Sequence, residues 1–382
     1  MLRFDFHQQT RFISGSGTID RLGNLAAELS GKRVLIISDP GVVAAGLYQK
    51  GLDSLSQAGL ICHGFHDLHE NPSTDDVDLG VRVAKDFLPD LLIGLGGGSS
   101  MDCAKGINFL YSCGGRMVDY WGRGKATASM LPMIAVPTTT GTGSEAQSFA
   151  LISDSQTHVK MACGDPKAAY RIAVLDPKLT ITQPTRVTAL TGIDALTHTL
   201  ETFVTKDRNV ISVAYSHSAW LHLSQGFTRV IHDPYDLEAR SRMQIGACLA
   251  GMAIEASMLG AAHALANPLT ARFGIAHGQA VGVMMPAVIR ANSRDNRTAE
   301  LYQSLLADLG IHVSVNVAGD RLADWFSSEL HAAGLVDRLS LLDIDQETLP
   351  SLGQEAAAQW TATFNPIPYD ASMMTKLYGS AL

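Results

Sequence analysis

The sequence predicts an α/β plus all-α chain: a doubly wound parallel-sheet domain over residues 1–183, then a mostly helical domain over residues 184–382. Three observations predict it. The chain has 382 residues, more than the roughly 250–300 at which a single hydrophobic core stops growing. Its first half alternates short, continuously apolar runs with stretches of helical spacing. Beyond Gln183-Pro184 the apolar runs cease and period-3.6 patterning dominates.

Four runs read as parallel strands: RVLIISD (33–39), DLLIGLGGG (90–98), MLPMIAVP (130–137) and RIAVLDP (171–177). Each is apolar throughout and bounded by Gly, Pro or Asp, as expected of strands buried on both faces. Between them GVVAAGLYQKGLDSLSQAG and STDDVDLGVRVAKDF carry helical spacing, which gives the strand, helix, strand order of a parallel sheet. FDFHQQTRFISGSG, near the amino terminus, reads as an edge strand that could pair across a dimer.

Composition narrows the function. A net charge of -8 without a basic stretch offers no electrostatic footprint for nucleic acid or an anionic membrane. No run of about 18 apolar residues could span a bilayer, and MLRFDFHQQTRF lacks an apolar signal segment, so a cytoplasmic location is expected. Five cysteines, with no Cys-x-x-Cys, speak against a disulfide framework or zinc ribbon. A small-molecule substrate is the expectation.

GLGGGSSMDCAKGINFL (94–110) is a strand end, a cluster of glycines, two serines and a helix. Glycines let the backbone approach a ligand, a serine caps the helix, and the free amides at its start favour a phosphate. AVPTTTGTGSEAQSF (135–149) repeats the plan after another strand, with hydroxyls and amides ahead of a second helical start. Two such loops can hold a diphosphate between them. The order differs from the usual Gly-x-Gly-x-x-Gly fingerprint, in which the acid follows the glycines; here Asp39 precedes them. An acid at that strand end can accept from ribose hydroxyls and repel a 2′-phosphate, favouring NAD over NADP. The alternative is a turn-forming Asp before Pro40.

In TGIDALTHTLETFV (191–204), Asp194 and His198 are four apart and share a helix face. Alone, such a pair reads more simply as a surface hydrogen bond. His263 and His277, however, lie in stretches of Ala, Gly, Met and Val, where imidazoles need polar partners that a shared divalent cation would supply. Three imidazoles and a carboxylate leave room for a substrate oxygen on Fe²⁺ or Zn²⁺. Glu201, seven residues after Asp194, is a rival ligand, though it reads more simply as a residue supporting the ligands from behind or as a helix-surface acid. CHGFHDLHENP (62–72) also clusters histidines, but the alternating faces of a strand would scatter the rings.

GGGSSMDCAK (96–105), PTTTGTGSE (137–145), GIDALTH (192–198), AHALANPL and AHGQAVGVMMP resemble, in order and over nearly the whole chain, the iron-dependent (group III) alcohol dehydrogenases. The resemblance implies an NAD-binding first domain, a dehydroquinate synthase-like fold and a homodimer. It makes Asp194, His198, His263 and His277 the iron ligands. It matches Asp39, Asn71, Gly97, Gly98, Ser99, Thr138, Thr139, Thr142 and Lys160 to positions that contact the nicotinamide dinucleotide. The implied reaction is hydride transfer between NAD(H) and a small primary alcohol or aldehyde, with Fe²⁺ (or Zn²⁺) holding the oxygen. Many members carry a histidine four residues after the third ligand, where this chain has Asn267. Asparagine orients a hydroxyl but cannot carry a proton near neutral pH, so Asn267 and Phe149 are expected to line the substrate pocket without relaying protons. The same fold can also host a dehydroquinate synthase-like lyase, a maleylacetate reductase-like enzyme, or a nucleotide-binding module with a structural metal.

Overall fold

The computed structural model of the chain describes residues 4–157 and 159–382. It divides into two compact units, one of residues His7–Gln183 and the other of Pro184–Leu382 together with the segment ending at Phe6.

The first unit is built on strands β1 (Arg11–Ser14), β2 (Arg33–Ile37), β3 (Ile61–Phe65), β4 (Leu91–Gly96), β5 (Gly122–Arg123), β6 (Met133–Pro137), β7 (Phe149–Ser153), β8 (Lys160–Gly164) and β9 (Ile172–Leu175). Six of these form a wholly parallel sheet in the order β1-β9-β6-β4-β2-β3. The continuous apolar runs follow from burial on both sides. Val34, Ile36, Ile93, Leu95, Ile134 and Val136 pack into one core, while the alternating Leu35, Ile37, Leu92, Met133 and Ala135 pack into the other. Truncating one such residue, for instance Leu95→Ala, is expected to cost about 2–5 kcal/mol. FDFHQQTRFISGSG does contain an edge strand, β1, which pairs within the chain, Arg11–Ser14 in register with Ile172–Leu175.

Strands β5, β8 and β7 form a small second sheet. Here the structure departs from the sequence reading. The second glycine loop leads only to a short 3₁₀ turn, Ser144–Ala146, and then into β7. The β-rich FALIS that follows pairs with β8 as a hairpin, so the strand partner overrides the helical start.

The second unit is helical, with no strand among the described residues. Three helices matter for function: Thr185–Val204, Ala261–Phe273 and His277–Asn292. Thr185–Val204 is buried almost all round over its last four turns. Its hydroxyls bond back to their own helix, Thr197 to the Ile193 carbonyl at 2.9 Å and Thr202 to the His198 carbonyl at 2.7 Å. Asp194, His198 and Glu201 are then the groups whose satisfaction must come from other elements. No single helix among the described residues is long and apolar enough to cross a membrane.

Candidate metal centre and nucleotide loops

Helical period puts Asp194, His198 and Glu201 on one stripe of the Thr185–Val204 helix. His263 comes from the second residue-pair of the Ala261–Phe273 helix, and His277 opens the next one. The approach of that last helix depends on Gly278, where a β-carbon would fall 2.1 Å from the Leu190 carbonyl oxygen. Only glycine lets His277 come so near the helix that carries Asp194.

The result is one carboxylate oxygen ringed by imidazole nitrogens. Asp194 Oδ1 lies 3.4 Å from His198 Nε2, 3.4 Å from His263 Nε2 and 3.8 Å from His277 Nε2. The rings of His198 and His263 stack at 4.8 Å between centroids. Asp194 Oδ1 and His263 Nε2 are fully buried and make no hydrogen bond, a costly arrangement for polar atoms. An ion bonded at about 2.0–2.2 Å keeps its neighbouring ligand atoms roughly 3–4 Å apart, and the donor atoms of Asp194, His263 and His277 all lie within 4.8 Å of one another. The residues fit a divalent ion.

In the metal-free protein the same contacts set the charge of these groups, and an ion would have to displace the proton of the His263 ring. Burial pushes the Asp194 carboxyl up, but the imidazoles of His198, His263 and His277 outweigh it and hold the group well below the usual carboxylate range. Burial disfavours a charged His263 ring, yet the carboxylates of Glu201 and Asp194 raise it to about 9. His277, with 27% of its side chain exposed, is the one member of the set that is not sealed in.

Glu201, the rival ligand, lies on the far side of His263. Its Oε2 meets His263 Nδ1 at 2.5 Å, and its Oε1 accepts from the Ala262 amide at 2.6 Å. Asn267 is half-buried one helical turn beyond His263, and its Nδ2 donates to Gln359 Oε1 at 3.0 Å. Nothing local in the sequence marks Gln359, which is 92 residues away. Arg272 is committed to Ser351 and Glu355.

In the first unit the nucleotide candidates gather at the carboxyl ends of β2, β4 and β6, where parallel sheets bind ligands. Gly97 sits against Thr139, with a β-carbon falling 3.2 Å from that side chain, and Gly98 against Thr142, at 2.6 Å. The Thr138 amide donates to the Gly96 carbonyl at 2.9 Å. The two loops are thus laid side by side. Asn71, in the left-handed region at φ 54°, donates its amide to Ser99 Oγ at 3.1 Å and accepts from Lys160 Nζ at 3.0 Å.

Two details differ from expectation. Neither serine caps the helix that follows the first loop: its N-cap is Gly97, with no side-chain bond, because Ser99 faces Asn71 and Ser100 donates to Asp39 Oδ2 at 2.9 Å. Asp39 does cap a helix, its Oδ1 accepting from the Val42 amide ahead of Pro40–Ala44. The second loop is held by a residue the sequence did not flag. Lys105, fully buried, donates to the Ser144 carbonyl and hydroxyl, both at 2.8 Å, and to the Phe149 carbonyl at 2.7 Å. Phe149 itself lies in this unit with its ring over Gly164.

The histidines of residues 62–72 go to separate partners: His63 stacks on Phe87, His66 meets Tyr48 edge-on, and His69 pairs with Asp76 at 2.8 Å.

Fold and cluster together define a class: a parallel α/β unit with paired glycine loops, joined to a helical unit that carries a candidate divalent-ion site. Comparison with known proteins gives the family. Residues 9–177 match the family described as iron-containing alcohol dehydrogenase, and residues 188–382 match its carboxy-terminal family. The chain is 34% identical over 321 residues to alcohol dehydrogenase 4 of Schizosaccharomyces pombe, covering 84% of this chain and 72% of that protein. It is 35% identical over 290 residues to a choline dehydrogenase of Bacillus subtilis, covering 75% and 72%. A solved structure described as 1,3-propanediol oxidoreductase superposes over 100% of both chains with a TM-score of 0.94 at 27% identity. The chain belongs to the iron-containing alcohol dehydrogenase family.

Proposed function

We propose that the protein is an NAD(H)-dependent dehydrogenase that interconverts a small primary alcohol and its aldehyde. Residues 1–183 serve as the NAD-binding domain and residues 184–382 as the metal-binding catalytic domain. Asp194, His198, His263 and His277 hold Fe²⁺, in a ligand set that also accepts Zn²⁺. The observation that carries this reading is Asp194 Oδ1 ringed by three Nε2 atoms at 3.4–3.8 Å, with Asp194 Oδ1 and His263 Nε2 making no hydrogen bond.

When bound, the ion supplies Lewis acidity toward the substrate oxygen and the dinucleotide supplies the hydride carrier. The chain's own residues do the rest. Gly97, Gly98 and Ser99, with Thr138, Thr139 and Thr142, offer amides and hydroxyls to a diphosphate. Asp39, already oriented by Val42 and Ser100, presents its carboxylate to ribose hydroxyls. Lys160 is steered by Asn71. Asn267 positions a substrate hydroxyl or oxygen and moves no proton, so a proton must leave by another route. A dehydroquinate synthase-like lyase has less support: it needs free cations for an acidic substrate, and Arg272 is engaged with Ser351 and Glu355.

The test is a substrate panel. Protein reconstituted anaerobically with Fe²⁺ is assayed with alcohols and aldehydes, using NAD(H) and NADP(H), by the absorbance of the reduced nicotinamide. Turnover of a primary alcohol with preference for NAD supports the proposal; no turnover of any member, with metal and dinucleotide both bound, overturns it.

A further inference from the structure

We infer that Glu201 is a positioning residue that selects the metal-binding tautomer of His263, an inference that rests on the metal site proposed above. A carboxylate only accepts hydrogen bonds, and Glu201 Oε2 lies 2.5 Å from His263 Nδ1. Glu201 therefore holds a proton on Nδ1, and Nε2 is the nitrogen that must give up its proton to an ion. That is the atom directed at Asp194 Oδ1, 3.4 Å away, and it makes no hydrogen bond. Ligation requires a bare nitrogen there.

The same carboxylate fixes where the ring stands. Glu201 Oε1 accepts from the amides of Ala262, at 2.6 Å, and of His263, at 3.4 Å, in the first turn of the Ala261–Phe273 helix. That turn has free donors and a positive end, and its N-cap, Gly260, supplies no side chain to satisfy them. Asn365 Oδ1 takes the remaining amide, that of Ala261, at 3.2 Å. Glu201 thus joins the helix bearing Asp194 and His198 to the helix bearing His263, and at 3% exposure it is shielded from competing water.

A purely structural brace and a tautomer selector respond differently to substitution. Glu201→Gln keeps an acceptor for the Ala262 amide, but its amide nitrogen would donate to Nδ1 and drive the ring proton onto Nε2. Glu201→Asp keeps the acceptor-only chemistry on a shorter arm. Chelator-treated wild type, Glu201→Gln and Glu201→Asp are titrated with Zn²⁺ by calorimetry, with thermal melts of the metal-free proteins recorded alongside. The expected result is one strong site in wild type, roughly 10- to 100-fold weaker binding in Glu201→Gln, and partial rescue in Glu201→Asp. Equal affinity in wild type and Glu201→Gln overturns the inference while leaving the metal site intact. Absence of a strong site in wild type overturns both. Should Glu201→Gln fail to fold, ¹⁵N spectra of Zn²⁺-loaded wild type decide: a proton on His263 Nδ1 supports the inference, and a bare Nδ1 overturns it.

Discussion

The side-chain amide of Asn267 donates to Gln359 Oε1 at 3.0 Å, one turn along the helix from His263. The bond uses one of the two amide hydrogens and fixes the amide plane, leaving Asn267 Oδ1 to accept from a ligand. Replacing Gln359 with Ala frees the amide to rotate. We expect KM to rise about 3- to 10-fold with kcat little changed, the size of one neutral hydrogen bond of about 0.5–1.5 kcal/mol; steady-state kinetics across the preferred alcohol's concentration range check it.

Asn267→His puts a titrating ring at the same place. The kcat/KM profile should gain a limb near the ordinary imidazole value of about 6.5, absent from wild type. An unchanged profile in an active, metal-loaded variant would remove Asn267 from the pocket.

Gly278→Ala drives a β-carbon onto the Leu190 carbonyl, 2.1 Å away. Backbone cannot swing aside as a side chain does, so the His277–Asn292 helix must shift and take His277 with it. Overpacking of this kind costs about 1–3 kcal/mol; the expected outcome is a lower Tm together with at least tenfold weaker metal retention, read by dialysis and metal analysis, while NAD affinity stays near wild type.

Asp39→Ala should act twice. Loss of the bond to the Val42 amide removes a helix cap worth about 1 kcal/mol, which a melting curve detects. Loss of the carboxylate also removes repulsion toward a 2′-phosphate, so the ratio of kcat/KM for NADPH over NADH should rise. A lower Tm with an unaltered cofactor ratio would reduce Asp39 to its capping role.

Asp76 ties down the segment after Asn71. Burial pushes its carboxyl up, but the Ser73 amide and hydroxyl and the His69 ring more than cancel this and hold it below the ordinary range. Because the folded pKa is depressed, the stabilisation is present above the unfolded value of about 3.9 and is lost as pH falls through the folded one. Wild type should therefore melt above Asp76→Asn at neutral pH, and the two curves should converge in strong acid. A gap that persists there would assign the effect to packing.

Much of the architecture is legible because it is periodic. Runs such as VLII (34–37) and LLI (91–93) are apolar at every position since alternate residues enter different cores, and four-residue spacing puts Asp194 and His198 on one face. What is hidden is whatever depends on contacts far along the chain. Glu201 reads as a rival ligand, a supporting residue or a surface acid, and only the first turn of the Ala261–Phe273 helix closing on it decides between them. Ser99 looks like a cap, but Asn71, 28 residues earlier, takes its hydroxyl. Nothing local marks Lys105, whose ammonium is held in the core by three oxygens of the second loop.

The most direct test of the account is anaerobic equilibrium dialysis against Fe²⁺, comparing wild type with Asp194→Ala and His263→Ala and following alcohol-dependent NAD reduction in the same samples. The account predicts one Fe²⁺ per wild-type chain with turnover, and loss of both in each variant while NAD binding persists. Full turnover by metal-free wild type, or by variants that retain no iron, would contradict it.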